Sequence, residues 1–314
     1  MIPVPQYPIY SALIALLGGT QVNYELDEGS GWDVTDAELR RKFASSEPGG
    51  LNIRAMVLIN PGNPTGKVLG RESIETICRF CTENSIVLLA DEVYQANVYA
   101  PDREFLSAKR VAMETLGFRN SLHLVSFHST PKGLISEYGR RGGYMELHNI
   151  DEDVKYQLYK LASSGLCSGV AGQIMTSLMV DPPKPGGESY NKFKKEENII
   201  FEGLKRRAKV VVDGLNAIKG IKCVPTEGGM YAFPSVDIPP KAVEEAKRRN
   251  VISDVLYCLS LLDETGICVV PASGFGHKEG RYGFRTTVLP PDSVLMGAVG
   301  EFGRHHKVFC ERYA

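Results

Sequence analysis

The sequence predicts an α/β protein, with a larger part built on a mainly parallel sheet and a smaller α/β part after it. Three observations carry this prediction. Short apolar runs recur at residues 54–60, 86–90 and 122–127, each stopped by a polar or Pro/Gly-rich cluster. Between the first two, residues 73–84 show helical periodicity, with Ile74, Ile77, Cys78 and Cys81 on one face. Hydrophobic residues make up 43% of the 314 positions and charged residues 23%, enough apolar surface for one large core or two modest ones. Short apolar strands separated by helices indicate a parallel sheet covered on both faces, in which ligands bind beyond the carboxyl ends of the strands.

Taken in order, the first run (RAMVLIN) leads into Asn60-Pro61-Gly62-Asn63-Pro64-Thr65-Gly66. By itself this is a tight turn made of turn residues, or a ligand-binding loop between a strand and a helix. The second run is stopped by Asp91-Glu92-Val93-Tyr94, which alone reads as a helix N-cap box. The third is followed by His128-Ser129-Thr130-Pro131-Lys132-Gly133 and then Arg140-Arg141-Gly142-Gly143-Tyr144. Hydroxyls, a lysine and two arginines there would suit a single phosphate, or a solvated basic loop. Each cluster has an ordinary reading, but their succession at the ends of three consecutive strands makes coincidence improbable.

Residues 181–187 (DPPKPGG) cannot lie inside a helix. Residues 190–218 then fit one long helix, with Leu204, Ala208, Val211 and Leu215 suitably spaced. Strand-like pieces follow at 221–224, 230–233, 267–270 and 282–288, with a helical piece at 242–262 among them. The expected division is a larger domain over residues 1–189, and a bridging helix with a small domain over 190–314.

Charge is balanced, 36 Lys+Arg against 37 Asp+Glu, so nothing draws the whole chain to nucleic acid or acidic lipid. No apolar run approaches the roughly 18–20 residues of a membrane span. Met1-Ile2-Pro3-Val4-Pro5 shows no secretory signal pattern. Seven scattered cysteines suggest reduced, mostly buried thiols in an intracellular, cytoplasmic setting. Cys78 and Cys81 form a CxxC inside an amphipathic helix and are expected to pack in the core rather than hold a metal. His305-His306 reads as a surface pair, Lys205-Arg206-Arg207 as a solvated helix face, and Glu227-Gly228-Gly229-Met230 as a turn into a strand. No metal site is expected.

NPGNPTG, then ADEVY 28 residues after Asn63, then SFHSTPKG and RRGGY, resemble fold-type I pyridoxal-phosphate aminotransferases of class I/II. The finer resemblance is to the alanine aminotransferase subgroup. It is carried by PVPQYPIY (3–10), HSTPKG, RRGGYMEL, the PPKPG loop with ESY, and SGFGHKEGRYGFRTTVLPP (273–291). These motifs reach from residue 3 to 291 and are together highly specific.

The resemblance implies pyridoxal 5'-phosphate, held by Lys132 as a Schiff base, with Lys132 later moving the proton at Cα. Asp91 would face the pyridine nitrogen, and Tyr94 and Asn63 would hydrogen-bond the phenolic oxygen. Tyr7 would stack on the ring, while Ser129 and Arg141 would hold the phosphate. Arg141 is preferred to Arg140 because it immediately precedes Gly142-Gly143-Tyr144. Arg285 would clamp the substrate carboxylate with Asn63 beside it, and Tyr231 would lie near the mouth of the site. Pro131 stands where the subgroup usually has serine, which removes a hydroxyl and stiffens the backbone before Lys132.

Met1-Ile2-Pro3-Val4 resembles an internal strand of a full-length member, so the chain is expected to lack the family's N-terminal portion and with it part of the small domain. It would lack too the glycine-rich turn whose helix N-terminus receives the phosphate. A targeting segment for mitochondria would lie in that portion. The implied reaction converts L-alanine and 2-oxoglutarate to pyruvate and L-glutamate, in a protein that is a homodimer at full length. Two alternatives stand beside it: a glyoxylate or other 2-oxo-acid aminotransferase on the same scaffold, and a catalytically silent chain with an interaction role.

Overall fold

The computed structural model describes residues 1–314 except Ile135, His277 and Glu279, and the side chain of Glu47. His277 and Glu279 belong to the 273–291 motif, so that part of the resemblance lies outside the described residues. The N-terminal part runs β1 (Ile2–Val4), α1 (Ile9–Leu16), β2 (Asn23–Glu25), α2 (Asp36–Ser46), β3 (Ala55–Ile59), α3 (Arg71–Glu83), β4 (Val87–Asp91), α4 (Ala108–Glu114), β5 (Leu124–Ser129), β6 (Gly143–His148), α5 (Glu152–Ser164) and α6 (Val170–Val180). The remainder is α7 (Tyr190–Asn216), β7 (Ile221–Lys222), β8 (Tyr231–Ala232), β9 (Ser235–Val236), α8 (Pro240–Arg248), α9 (Ser253–Thr265), β10 (Val270–Pro271), β11 (Phe284–Thr287) and α10 (Asp292–Arg312).

The main sheet has the order β3-β4-β5-β6. Strands β3, β4 and β5 are parallel, in a register that sets Ile59 beside Asp91 and Asp91 beside Phe127. All three strands therefore end at one edge, and the loops after them open together. Strand β1 pairs in parallel with β2, and Met1 O, just before it, accepts a backbone hydrogen bond from Val57 on β3 at 2.9 Å. Helix α3 presents Ile74, Ile77, Cys78, Phe80 and Cys81 to one face of the sheet, as its periodicity requires. With Met56, Leu58, Leu88 and Leu124 they form the first core. A second core gathers Leu204, Val211 and Leu215 of α7 with Tyr257, Leu261, Phe284, Phe302 and Phe309.

Several expectations need correction. Strand β6 was not anticipated, and it pairs antiparallel with β5, Ser129 opposite Gly143. Its first four residues are exposed, and the face of the sheet opposite α3 is only partly covered, by Tyr7, Tyr10 and Ile14 around α1. The helical piece at 242–262 is two helices, α8 and α9, because Asn250 takes a left-handed φ of 55° that no continuous helix contains. Asp91-Glu92-Val93-Tyr94 starts no helix; Glu92 instead reaches the N-terminus of α4, where it accepts from Ala108 N at 2.7 Å. His305 and His306 are buried rather than on the surface. Arg207 also departs from the solvated face, since its Nε donates to Val288 O at 3.0 Å. Cys78 and Cys81 pack in the first core, and all seven cysteines are free thiols. Most are buried as expected, Cys223 and Cys258 among them, while Cys167 and Cys268 are exposed.

Candidate active site

The loops beyond β3, β4 and β5 line one open cleft of about 1250 Å³. Tyr7, Asn63, Asp91, Tyr94, Ser129, Lys132 and Arg141 all line it, whereas Arg140 does not. Arg285 is not among these lining residues, but its Nη1 donates to Oδ1 of Asn63, which is, at 3.0 Å. The two residues are 222 positions apart in the chain.

Asp91 is the last residue of β4 and is largely enclosed. Tyr10 Oη donates to its Oδ2 at 2.7 Å, and Val93 N approaches Oδ1 at 3.5 Å. Burial pushes the Asp91 carboxyl above the ordinary carboxylate range, while the bond from Tyr10 and the charge of Lys132 pull it back. Lys132 follows β5 and holds its Nζ 4.8 Å from the centre of the Tyr138 ring. The neighbouring loops are tied by Thr130, which is fully buried. Thr130 N donates to Gly142 O at 3.0 Å, and its Oγ1 accepts from Gly142 N at 3.2 Å. That link sets Arg141, at a left-handed φ of 47°, beside the end of β5. Glycine is required at 142 and 172, because a Cβ on Gly142 would lie 2.5 Å from Gly172 O, and one on Gly172 equally close to Arg141 O. The α6 backbone thereby packs directly on the arginine loop.

The second half of the chain enters the site at residues 227–231. Gly228 N donates to Gly66 O and Gly229 N to Asn97 O, both at 2.8 Å. Glu227 Oε2 accepts from Val68 N at 2.9 Å, and its other oxygen lies 3.4 Å from both Lys67 Nζ and Arg103 Nη2. Tyr231 is thereby brought edge-on to Tyr94, ring centres 6.2 Å apart and hydroxyls 3.5 Å apart. The Arg285 guanidinium packs 4.1 Å from the centre of the Tyr231 ring and 4.8 Å from that of Phe275. Tyr10, Tyr138 and Phe275 were not singled out from sequence. Tyr10 follows Tyr7 by three residues, and that spacing was the signal available for it.

A largely enclosed carboxyl at the end of β4, a lysine after β5 and an arginine just before β6, all lining one cleft, agree with the sequence comparison. The model of the family "Aminotransferase class I and II" matches residues 1–297. The chain belongs to this family. Among curated relatives, a probable mitochondrial alanine aminotransferase of Dictyostelium discoideum is 47% identical over 314 residues, which are 100% of this chain and 59% of that protein. Glutamate–glyoxylate aminotransferase 1 of Arabidopsis thaliana is 46% identical, over 100% of this chain and 65% of that protein. The aminotransferase chain thus spans about three fifths of the length of the curated relatives it matches. Among solved structures, an Escherichia coli aminotransferase superposes with a TM-score of 0.78 at 28% identity, covering 98% of this chain and 69% of that one. An alanine aminotransferase from Pyrococcus furiosus gives a TM-score of 0.80 at 24% identity over the same shares, and shows the fold alone. The cofactor of the family is pyridoxal 5'-phosphate.

Proposed function

We propose that this aminotransferase acts between L-alanine and 2-oxoglutarate, giving pyruvate and L-glutamate, with pyridoxal 5'-phosphate bound in the cleft. The observation that carries the reading is the juxtaposition of Lys132 and Asp91 in the cleft with Asn63, which is hydrogen-bonded to Arg285. The donor set suits the cofactor. Asp91 is a largely enclosed carboxyl, raised by that enclosure, with Oδ2 already satisfied by Tyr10. It therefore gains from a cationic N–H partner such as a protonated pyridine. Because Arg285 occupies Asn63 Oδ1, the Asn63 amide has its N–H groups left to donate, as a phenolic oxygen requires.

When bound, the cofactor supplies a conjugated ring that accepts the electrons released at the substrate Cα. In this reading Lys132 would hold the cofactor through its Nζ and, once the substrate amine has displaced it, the freed amine would carry the proton from the substrate Cα to the C4′ carbon of the cofactor. Asp91 holds the proton on the ring nitrogen. Tyr7 lies against the ring, Tyr94 and Asn63 donate to its oxygen, and Ser129 and Arg141 bind the phosphate. The guanidinium of Arg285 spends one N–H on Asn63, which leaves others to meet the substrate carboxylate in a bidentate pair.

The proposed division is a cofactor-binding part, 1–189, and a bridging helix with a small domain, 190–314, each built around its own core. A homodimer is proposed as well, supported by Tyr159, Leu161, Leu166 and Val170, which α5, α6 and their connection leave exposed. For compartment, cytoplasm and mitochondrion are both proposed, the second supported by relatives named mitochondrial. Among the described residues no helix is long and apolar enough to cross a membrane.

Borohydride reduction of the cofactor-loaded protein, followed by peptide mapping, should find the cofactor on Lys132. A label on another lysine of fully loaded protein would remove that assignment. Transamination of L-alanine measured side by side with 2-oxoglutarate and with glyoxylate tests the substrate pair. Preference for glyoxylate would favour the function in the names of the second group of relatives.

A further inference from the structure

Asp254 lies in the first turn of α9, 1% exposed, and is not among the residues that line the cleft. Both of its oxygens are spent on one residue: Oδ2 accepts from Ser273 N at 2.7 Å and Oδ1 from Ser273 Oγ at 2.8 Å. Burying a carboxyl is costly unless hydrogen bonds replace its water, and here both replacements go to a single point of the chain. That point is the second residue of the short 3₁₀ turn Ala272–Phe275. The turn ends at Phe275, whose ring packs against the Arg285 guanidinium at 4.8 Å and against Phe233 at 5.7 Å. Phe275 O also accepts from Gln6 N at 3.0 Å, one residue before Tyr7.

We propose that Asp254 is a positioning residue for substrate binding: by holding Ser273 it fixes Phe275, and through Phe275 the guanidinium of Arg285. The proposal rests on Arg285 as the group that meets the substrate carboxylate. An arginine confined between a hydrogen-bond acceptor and two rings has lost its side-chain freedom on folding. Binding then does not have to order it. Without the pin that ordering falls on the binding step, and L-alanine affinity drops by roughly three- to tenfold. The chemistry at the cofactor is untouched, because Asp91 ends β4 and Lys132 lies in the loop after β5, neither of them on this turn.

Three variants separate positioning from plain loss of stability. Asp254→Ala removes both bonds, and Ser273→Ala, milder for the fold, removes the hydroxyl one. Asp254→Asn removes the charge but keeps the geometry, since its amide oxygen can accept from Ser273 N and its N–H can donate to Ser273 Oγ. The first measurement needs neither cofactor nor substrate: phenylglyoxal modification of Arg285, followed by peptide mapping, alongside emission of Trp32. Trp32 is the single tryptophan and shares a cluster with Phe233, Ala272 and Phe275. Arg285 should react several-fold faster in the two alanine variants, with red-shifted Trp32 emission, while Asp254→Asn stays at the wild-type values. Unchanged Arg285 reactivity in Ser273→Ala and Asp254→Ala, whether or not Trp32 emission moves, would overturn the proposal. In the cofactor-loaded protein, L-alanine titration should show the affinity loss in both alanine variants with the cofactor's own absorption unaltered. Equal affinity in wild type and variants would likewise overturn it. A wild-type protein that takes up cofactor yet ignores L-alanine would defeat the proposed substrate instead, and the Arg285 reactivity would then decide the pin by itself.

Discussion

Arg285 and Glu92 show how single residues acquire their roles. Arg285 uses the flat, forked shape of its guanidinium twice, stacking on Tyr231 and Phe275 and donating to Asn63. Lysine has neither the plane nor the fork, so Arg285→Lys should lower kcat/KM for L-alanine at least about tenfold while cofactor loading stays unchanged. Steady-state rates together with cofactor absorbance check this, and an unaltered rate would take Arg285 out of the site. Glu92 is 6% exposed, and burial pushes its carboxyl up to about 7, helped by Asp91 and Glu146 and opposed by the bond from Ala108 N. A folded-state value above the ordinary carboxylate range means that stability is lost as pH rises through about 7, where the buried group must ionise. Glu92→Gln keeps an acceptor for Ala108 N and removes that cost. It should therefore raise stability by about 1–3 kcal/mol at pH 8 and change it little at pH 5, in denaturant titrations at the two values. An equal gain at both would separate the effect from ionisation. Lys132, Asp91 and Arg141 were legible in the sequence because their clusters succeed one another after consecutive apolar runs, although each alone has an ordinary reading. Glu92 and Tyr10 were not, since their partners are 16 and 81 positions away and only folding brings them together.

Among the elements, α9 and α10 carry a polar arrangement that helical periodicity does not reveal. Ser260 Oγ donates to Glu264 Oε1 at 3.1 Å and lies 3.0 Å from His305 Nε2, so the ring nitrogen must be the donor in that contact. Among the described residues His305 Nδ1 has no hydrogen-bond partner, which agrees with a neutral ring carrying its proton on Nε2. Burial is the main cause that pushes His305 down to about 4, against the pull of Glu264. With the folded value depressed, stability is complete above the ordinary histidine range and is lost as pH falls from about 6.5 towards 4. His305→Gln should hold its α9–α10 packing to lower pH, visible as a smaller drop in melting temperature between pH 7 and pH 5. Identical drops in both proteins would assign the acid sensitivity elsewhere. The adjacent histidines read as a surface pair because both are polar, but a helix packed on two sides buries residues that a single-stripe pattern leaves outside. The α8–α9 break was missed for a similar reason, since Asn250 tolerates left-handed backbone and interrupts the chain without a proline or glycine to mark it.

At the scale of the molecule, the two cores meet along the segment 227–231, whose backbone bonds to Gly66 and Asn97 hold Tyr231 against Tyr94. Ile77 is fully buried in the first core, so Ile77→Ala should cost about 2–5 kcal/mol. If each core is a unit of its own, amides of β3, β4 and α3 should lose hydrogen-exchange protection in this variant while those of α7 and α10 keep theirs. Loss spread evenly over both would mean one cooperative unit. The sequence by itself determined the alternation of strand and helix in residues 54–129, the long helix α7, the order of the three polar clusters and the family. Each of these is written in local periodicity or contiguous motifs. Only the tertiary structure decided that β6 closes the sheet antiparallel, that Tyr10 caps Asp91, that Glu227 ties the halves, and that Asp254 reaches Phe275 through Ser273. Those contacts join residues separated by tens to hundreds of positions. Their geometry is set by strand register and helix packing, which no local pattern of residue types encodes.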